Sequence, residues 1–159
     1  MGDYIMYNIL VHGLGQKSSS WYKTISYMTE QDNAICPELS LFIKDKNVSY
    51  SELYKGFSSY CDSFLEPFNL CGLSLGAVLA LNYTIDNPQK VKSLVLIAAQ
   101  YEMPKLLLKL QNIIFRFMPE KSFVSTGLRK IDFIELISSM MNLTLSEGLK
   151  NISCPVQVL

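Results

Sequence analysis

Gly72-Leu73-Ser74-Leu75-Gly76 is the segment best suited to chemistry: a serine with glycine two places away on either side, between one apolar run ending at Cys71 and another beginning at Ala77. A serine turning from a strand into a helix must take a strained backbone conformation, and only small residues two places away let the two elements approach. Such a bend pushes Ser74 Oγ clear of the sheet. The free N–H groups and dipole at the helix start then favour negative charge developing beside it. Nucleophilic attack on an acyl carbon is the chemistry that fits. The second segment is His12-Gly13-Leu14-Gly15, where a glycine-rich turn lets a backbone N–H face the same cleft. The N–H groups of Leu14 and Leu75 are assigned as the two donors of an oxyanion hole.

These residues need strands that end together and helices that start there. Tyr7 to Val11 is a branched, apolar run leading into the first glycine turn, and Ser18 to Ser20 offer caps for a helix from about Trp21 to Glu30. Ala34 to Pro37 reads as a second strand, stopped by its proline. Ser49 or Ser51 caps a helix that places Leu53, Phe57, Tyr60 and Phe64 on one face, and Phe68 to Cys71 is a third strand. Ala77 to Ile85 is a deeply buried helix ended by Asp86-Asn87-Pro88, and Val91 to Ala99 is a fourth strand. Alternating strands and helices imply parallel strands with both faces of the sheet covered.

Between Glu102 and Gly148 the strand signal disappears. Two helical stretches, about Pro104 to Met118 and Ile131 to Met141, form an inserted layer before an apolar run at Pro155 to Leu159. In the first stretch Lys105, Lys109, Asn112 and Arg116 share a narrow polar stripe, so a helix this widely apolar is expected to be covered on two sides. Met118, Met140, Met141, Phe115 and Phe117 could line an apolar pocket for an acyl chain or hydrophobic ester, or could be ordinary core packing.

Composition excludes several other classes. The chain has 159 residues with 14 Lys+Arg, 14 Asp+Glu and zero formal net charge, so it lacks the long-range field that a nucleic-acid partner demands. Cys36, Cys61, Cys71 and Cys154 form no C-x-x-C pair, so they are read as free thiols; no metal and no cofactor is implied. No run reaches the length of a membrane span, and the start of the chain lacks a basic region and cleavage site, which gives the expectation of a cytoplasmic protein. The four N-x-[ST] sequons, at Asn47, Asn82, Asn142 and Asn151, are read as chance.

At the two glycine turns the chain resembles the α/β-hydrolase superfamily, in its serine esterase and lipase-like branch. The resemblance also takes in Asn87-Pro88-Gln89-Lys90-Val91-Lys92-Ser93-Leu94-Val95-Leu96 and Cys154-Pro155-Val156-Gln157-Val158-Leu159, in the family's order. It implies an α/β fold over residues 1–159 as a single domain: a mostly parallel sheet, helices on both faces, residues 102–150 as a helical lid, and a sheet incomplete at the C-terminus. It implies a serine hydrolase forming an acyl-enzyme on Ser74, with a small hydrophobic acyl or ester substrate. His12, Gly13, Gly15, Gly72 and Gly76 would be its structural motif residues. The family's acid and histidine base normally follow the last strand, whereas His12 is the one histidine present. The expectation is therefore an N-terminal portion, nearly inactive as it stands. Glu102 is either a substitute acid or a solvated residue opening the lid. A binding or interaction module that kept the turn, and an acyltransferase of the same fold, remain alternatives. An uncovered last strand would expose an edge open to self-association.

Overall fold

Short runs of branched and aromatic residues form the strands of one sheet. In the computed structural model, which describes residues 5–44 and 47–159, these are β1 (Asn8–Val11), β2 (Ala34–Ile35), β3 (Phe68–Leu73), β4 (Val91–Ile97) and β5 (Val156–Val158). All neighbours are parallel, in the order β2-β1-β3-β4-β5. Parallel neighbours need crossover connections, and helices fill them. They are α1 (Tyr22–Ile25), α2 (Tyr50–Asp62), α3 (Leu75–Asp86), α4 (Lys105–Phe117) and α5 (Lys130–Met140). Val11 pairs with Gly72, and Gly72 with Leu96, so both glycine turns leave the sheet at the same end. The parallel α/β fold class expected from the alternating pattern is present, with an open sheet edge at β5.

The core lies between the sheet and the α2–α3 layer. Ile9, Val11, Phe68, Leu70 and Leu94 of the strands are buried against Leu79, Ala80 and Tyr83 of α3 and Leu53 and Phe57 of α2. Each fully buried large side chain contributes roughly 1.5–3 kcal/mol. Ser49 caps α2 by accepting the Glu52 N–H at 3.2 Å. Tyr83 ties the two helices together: its ring meets Phe57 edge-on at 6.1 Å and stacks on Phe68 at 6.0 Å, while its hydroxyl donates to Asp62 at 2.8 Å.

Two expectations need correction, the length of the first helix and the cover of α4. The first helix stops at Ile25 rather than Glu30, because Tyr27 and Met28 donate to the carbonyls of Thr24 and Ile25 as turns and Ser26 Oγ bonds the Lys23 carbonyl. Ser offers the backbone local hydrogen bonds that compete with a helix, and β-branched residues lose side-chain freedom in one. The far face of the sheet is less well covered than the near one. Cys71 and Val95 are half-buried there, beside a polar row in which Asn69 donates to Asn8 at 3.0 Å and accepts from Ser93 at 2.8 Å. Finally, α4 is not covered on two sides: Leu108 and Asn112 are its buried residues, while Leu106 and Phe117 are 83% and 86% exposed. No helix among the described residues is long and apolar enough to cross a membrane.

All four cysteines are free. Burial pushes the Cys36 and Cys71 thiols up to about 11 from an ordinary value of 9.0, with Cys36 raising Cys71 further. The folded chain therefore holds these protons more tightly than the unfolded chain does. Their stabilisation is complete below about pH 9 and is lost as pH rises through about 11. The urea midpoint should hold up to about pH 9 and fall above it, and the Cys36→Ala/Cys71→Ala double variant should show a shallower fall.

Candidate active site

The bend between β3 and α3 follows from what the flanking glycines permit. A Cβ on Gly72 would stand 2.6 Å from Ala77 Cα and overlap the Gly76 carbonyl; one on Gly76 would stand 2.6 Å from the His12 carbonyl oxygen and overlap that of Val11. With no Cβ at either place, the start of α3 lies directly on β1 and β3. Ser74, between them, is held at φ 52°, ψ −114°. For a non-glycine residue this is a costly conformation that persists only where the surroundings determine it. Here they do: the Ser74 N–H donates to the Ile97 carbonyl at 2.8 Å, and its own carbonyl accepts the Val78 N–H at 3.0 Å. Both backbone groups are fixed while the side chain stays exposed.

The turn after β1 is built around the same point. Gly13 donates its N–H to Gln16 Oε1 at 2.8 Å and accepts the Gln16 N–H at 3.2 Å. A Cβ on Gly13 would stand 3.5 Å from Ser74 Cβ, so this turn lies against the serine. Gly15 takes a left-handed φ of 80°. The His12 imidazole is buried: Nδ1 is 2.9 Å from the Gly13 carbonyl and Nε2 accepts the Leu39 N–H at 3.2 Å, with Glu38 Oε1 3.3 Å away. These partners assign the proton to Nδ1 and make the ring a clasp between the turn and the Glu38–Leu39 backbone.

Ser74, Leu14 and Leu75 line one cleft of about 250 Å³, together with Val78, Ala98, Gln100, Met103, Leu107, Leu108, Gln111, Ile137 and Met140. The Leu75 N–H is the first of α3 and has no acceptor within its own helix. No acceptor for the Leu14 N–H occurs among the described residues. The arrangement places an exposed serine in a cleft that Leu14 and Leu75 also line, with apolar residues of α4 and α5 across from it. His12 and Glu102 are not among the lining residues. Glu102 is exposed, bridges to Thr144 and accepts the Ser146 hydroxyl at 3.0 Å.

Of the apolar residues expected to line a pocket, Met140 does. Phe115 instead packs on Phe123 and Phe133, Phe117 faces outward, and Met118 and Met141 are half-buried elsewhere. Ala98, at φ 52°, is a site residue that sequence reasoning missed, since alanine gives no signal for a positive φ. Gln100 and Gln111 were missed as well. They are the cleft's two amide side chains, and neither forms a side-chain hydrogen bond among the described residues.

A family model described as alpha/beta hydrolase fold matches residues 65–133, which include the β3–α3 bend. Among solved structures, a hydrolase from Pseudomonas aeruginosa PA01 superposes with a TM-score of 0.71 at 12% identity, over 99% of this chain and 72% of that one. The enol-lactonase from Burkholderia xenovorans LB400 gives 0.72 at 13% identity, over 98% and 72%. A bacterial membrane phospholipase A gives 0.71 at 18% identity, over 99% and 63%. No curated protein sequence matches the chain. At these identities the likeness carries the fold.

The glycine contacts give a direct test. Gly76→Ala forces a methyl group into two backbone carbonyls and should lower stability by about 3 kcal/mol. Gly15→Ala meets Phe133 Cε1 at an ordinary 3.6 Å and should cost about 1–2 kcal/mol, from its left-handed backbone alone. Urea unfolding followed by circular dichroism reads both.

Proposed function

We propose, from the premise that this chain has the alpha/beta hydrolase fold, that Ser74 is the nucleophile of a serine hydrolase acting on a hydrophobic carboxylic ester or related acyl compound. The observation that carries this reading is the strained Ser74 backbone, which leaves an exposed hydroxyl in one cleft with the Leu14 and Leu75 backbone. Ser74 Oγ attacks the acyl carbon, and the former carbonyl oxygen takes the negative charge and accepts from the two N–H groups. Collapse of this adduct breaks the bond to the leaving group and forms the acyl-enzyme, which water then cleaves. Each backbone donor is worth about 3 kcal/mol to the transition state.

The Oγ proton needs an acceptor. His12 has both ring nitrogens engaged away from the cleft and Glu102 is bound to Ser146, so the proton of the exposed hydroxyl passes to solvent water and the attack is unassisted. Oxyanion stabilisation and binding alone sustain about 10³–10⁴-fold over water, which makes the 159 residues a slow catalyst. Residues 102–150 act as the lid: Leu107, Leu108 and Gln111 of α4 with Ile137 and Met140 of α5 roof the cleft. That roof is apolar enough for an acyl chain, while Gln100 and Gln111 offer polar contacts to the ester. The neighbours named as an enol-lactonase and a phospholipase A are in keeping with such a substrate. β5 leaves an exposed apolar edge, with Val158 on it, open to pairing with a second strand.

Prolonged exposure to an alkyl fluorophosphonate should place one phosphonyl group on Ser74 ahead of every other serine, as mapped by peptide mass spectrometry. The Ser74→Ala protein should take up none there and keep its unfolding midpoint. An adduct spread over surface serines would contradict the proposal and leave a non-catalytic binding module as the reading.

A further inference from the structure

The outward face of α4 is not explained by the cleft it roofs. The helix turns Leu108 and Asn112 inward, and Asn112 Nδ2 donates to Ser138 Oγ of α5 at 2.8 Å. On the opposite side Leu106, Leu107, Leu110, Ile113, Ile114 and Phe117 each leave about half or more of their surface to solvent. Leu106, Leu110, Ile113 and Phe117 recur at spacings of four, three and four, so they form one continuous strip along the helix. Lys105, Lys109 and Arg116 run along one edge of that strip. All three are exposed, and none of their side chains forms an ion pair or hydrogen bond among the described residues. The helix contains no acidic residue.

We propose that this face docks on an anionic phospholipid bilayer. The helix lies parallel to the membrane plane, with its leucine, isoleucine and phenylalanine side chains at the acyl boundary and its three cations among the headgroups. A large apolar face edged by Lys and Arg on a helix too short to span is the pattern of interfacial binding, and each basic residue near an anionic surface adds to the attraction. Charge selects this occupant over a second copy of the chain. With no carboxylate on α4, a copy packed face to face would leave all the cations unpaired. The exposed apolar face also reaches the cleft, since Leu107 belongs to both, so docking would set the cleft mouth against lipid. This last consequence rests on the hydrolase reading of Ser74; the docking does not.

Co-sedimentation with vesicles tests the proposal. The protein should sediment with phosphatidylcholine vesicles containing phosphatidylglycerol, and much less with phosphatidylcholine alone or in high salt. Leu110→Glu/Phe117→Glu and Lys105→Glu/Lys109→Glu should each lower the bound fraction about tenfold or more. All four positions are exposed, and circular dichroism checks that the variants fold. Absence of wild-type binding, or equal binding by the variants, would overturn the proposal. So would a dimer in light scattering that the same substitutions dissolve. Phosphonyl transfer to Ser74 without vesicles reports the hydrolase reading separately, so failure of one is distinguishable from failure of the other.

Discussion

The close approach of α3 to β1 and β3 is the constraint on which the site depends. It exists because Gly72 and Gly76 present no Cβ where the Gly76, Val11 and His12 carbonyls already stand. The chain must then pass from strand to helix within a single residue, and Ser74 absorbs the turn at φ 52°. The strain is balanced by burial: nearly every residue of α3 is inaccessible, packed with the strands and α2 in one core. Replacing either glycine would separate these layers, so the stability of the core and the position of the hydroxyl are the same quantity seen from two sides.

Around that point, three segments distant in sequence are brought to one end of the sheet. Parallel pairing aligns the ends of β1, β3 and β4, and the Ser74 N–H reaches across to Ile97. The buried His12 ring joins the first glycine turn to the Glu38–Leu39 segment, so the Leu14 turn is held by backbone contacts from another part of the chain. The α4–α5 layer is fixed more locally. A cluster of Phe115, Phe123 and Phe133, with centroids 4.8–5.8 Å apart, holds the two helices together, and the Asn112–Ser138 bond adds a polar contact beneath.

The bend was legible in the sequence because its glycines surround a serine between two apolar runs, a local pattern with a local cause. The buried helix after it was legible for the same reason, and so was the Ser49 cap of α2. What escaped was set by long-range packing. Ala98 takes a left-handed φ beside the cleft with no residue type to announce it. Periodicity identified the polar stripe of α4 but not its surroundings: Asn112 of that stripe is buried with Leu108, whereas Leu106, Leu110 and Phe117 face solvent. The first helix was overestimated because Trp21, Ile25 and Met28 carry a helical spacing, whereas the Ser26 hydroxyl and successive tight turns end the helix at Ile25.

The central claim is that the backbone at position 74 delivers a side chain to an electropositive spot formed by free N–H groups. The most direct measurement is the thiol pKa of Ser74→Cys, from the pH dependence of thiolate absorbance. A thiol facing the Leu14 and Leu75 N–H groups at the start of α3 should ionise below the free-cysteine value of about 8.5, at about 7 or lower. A value at or above 8.5, moving toward the half-buried Cys71 at about 11, would contradict the account.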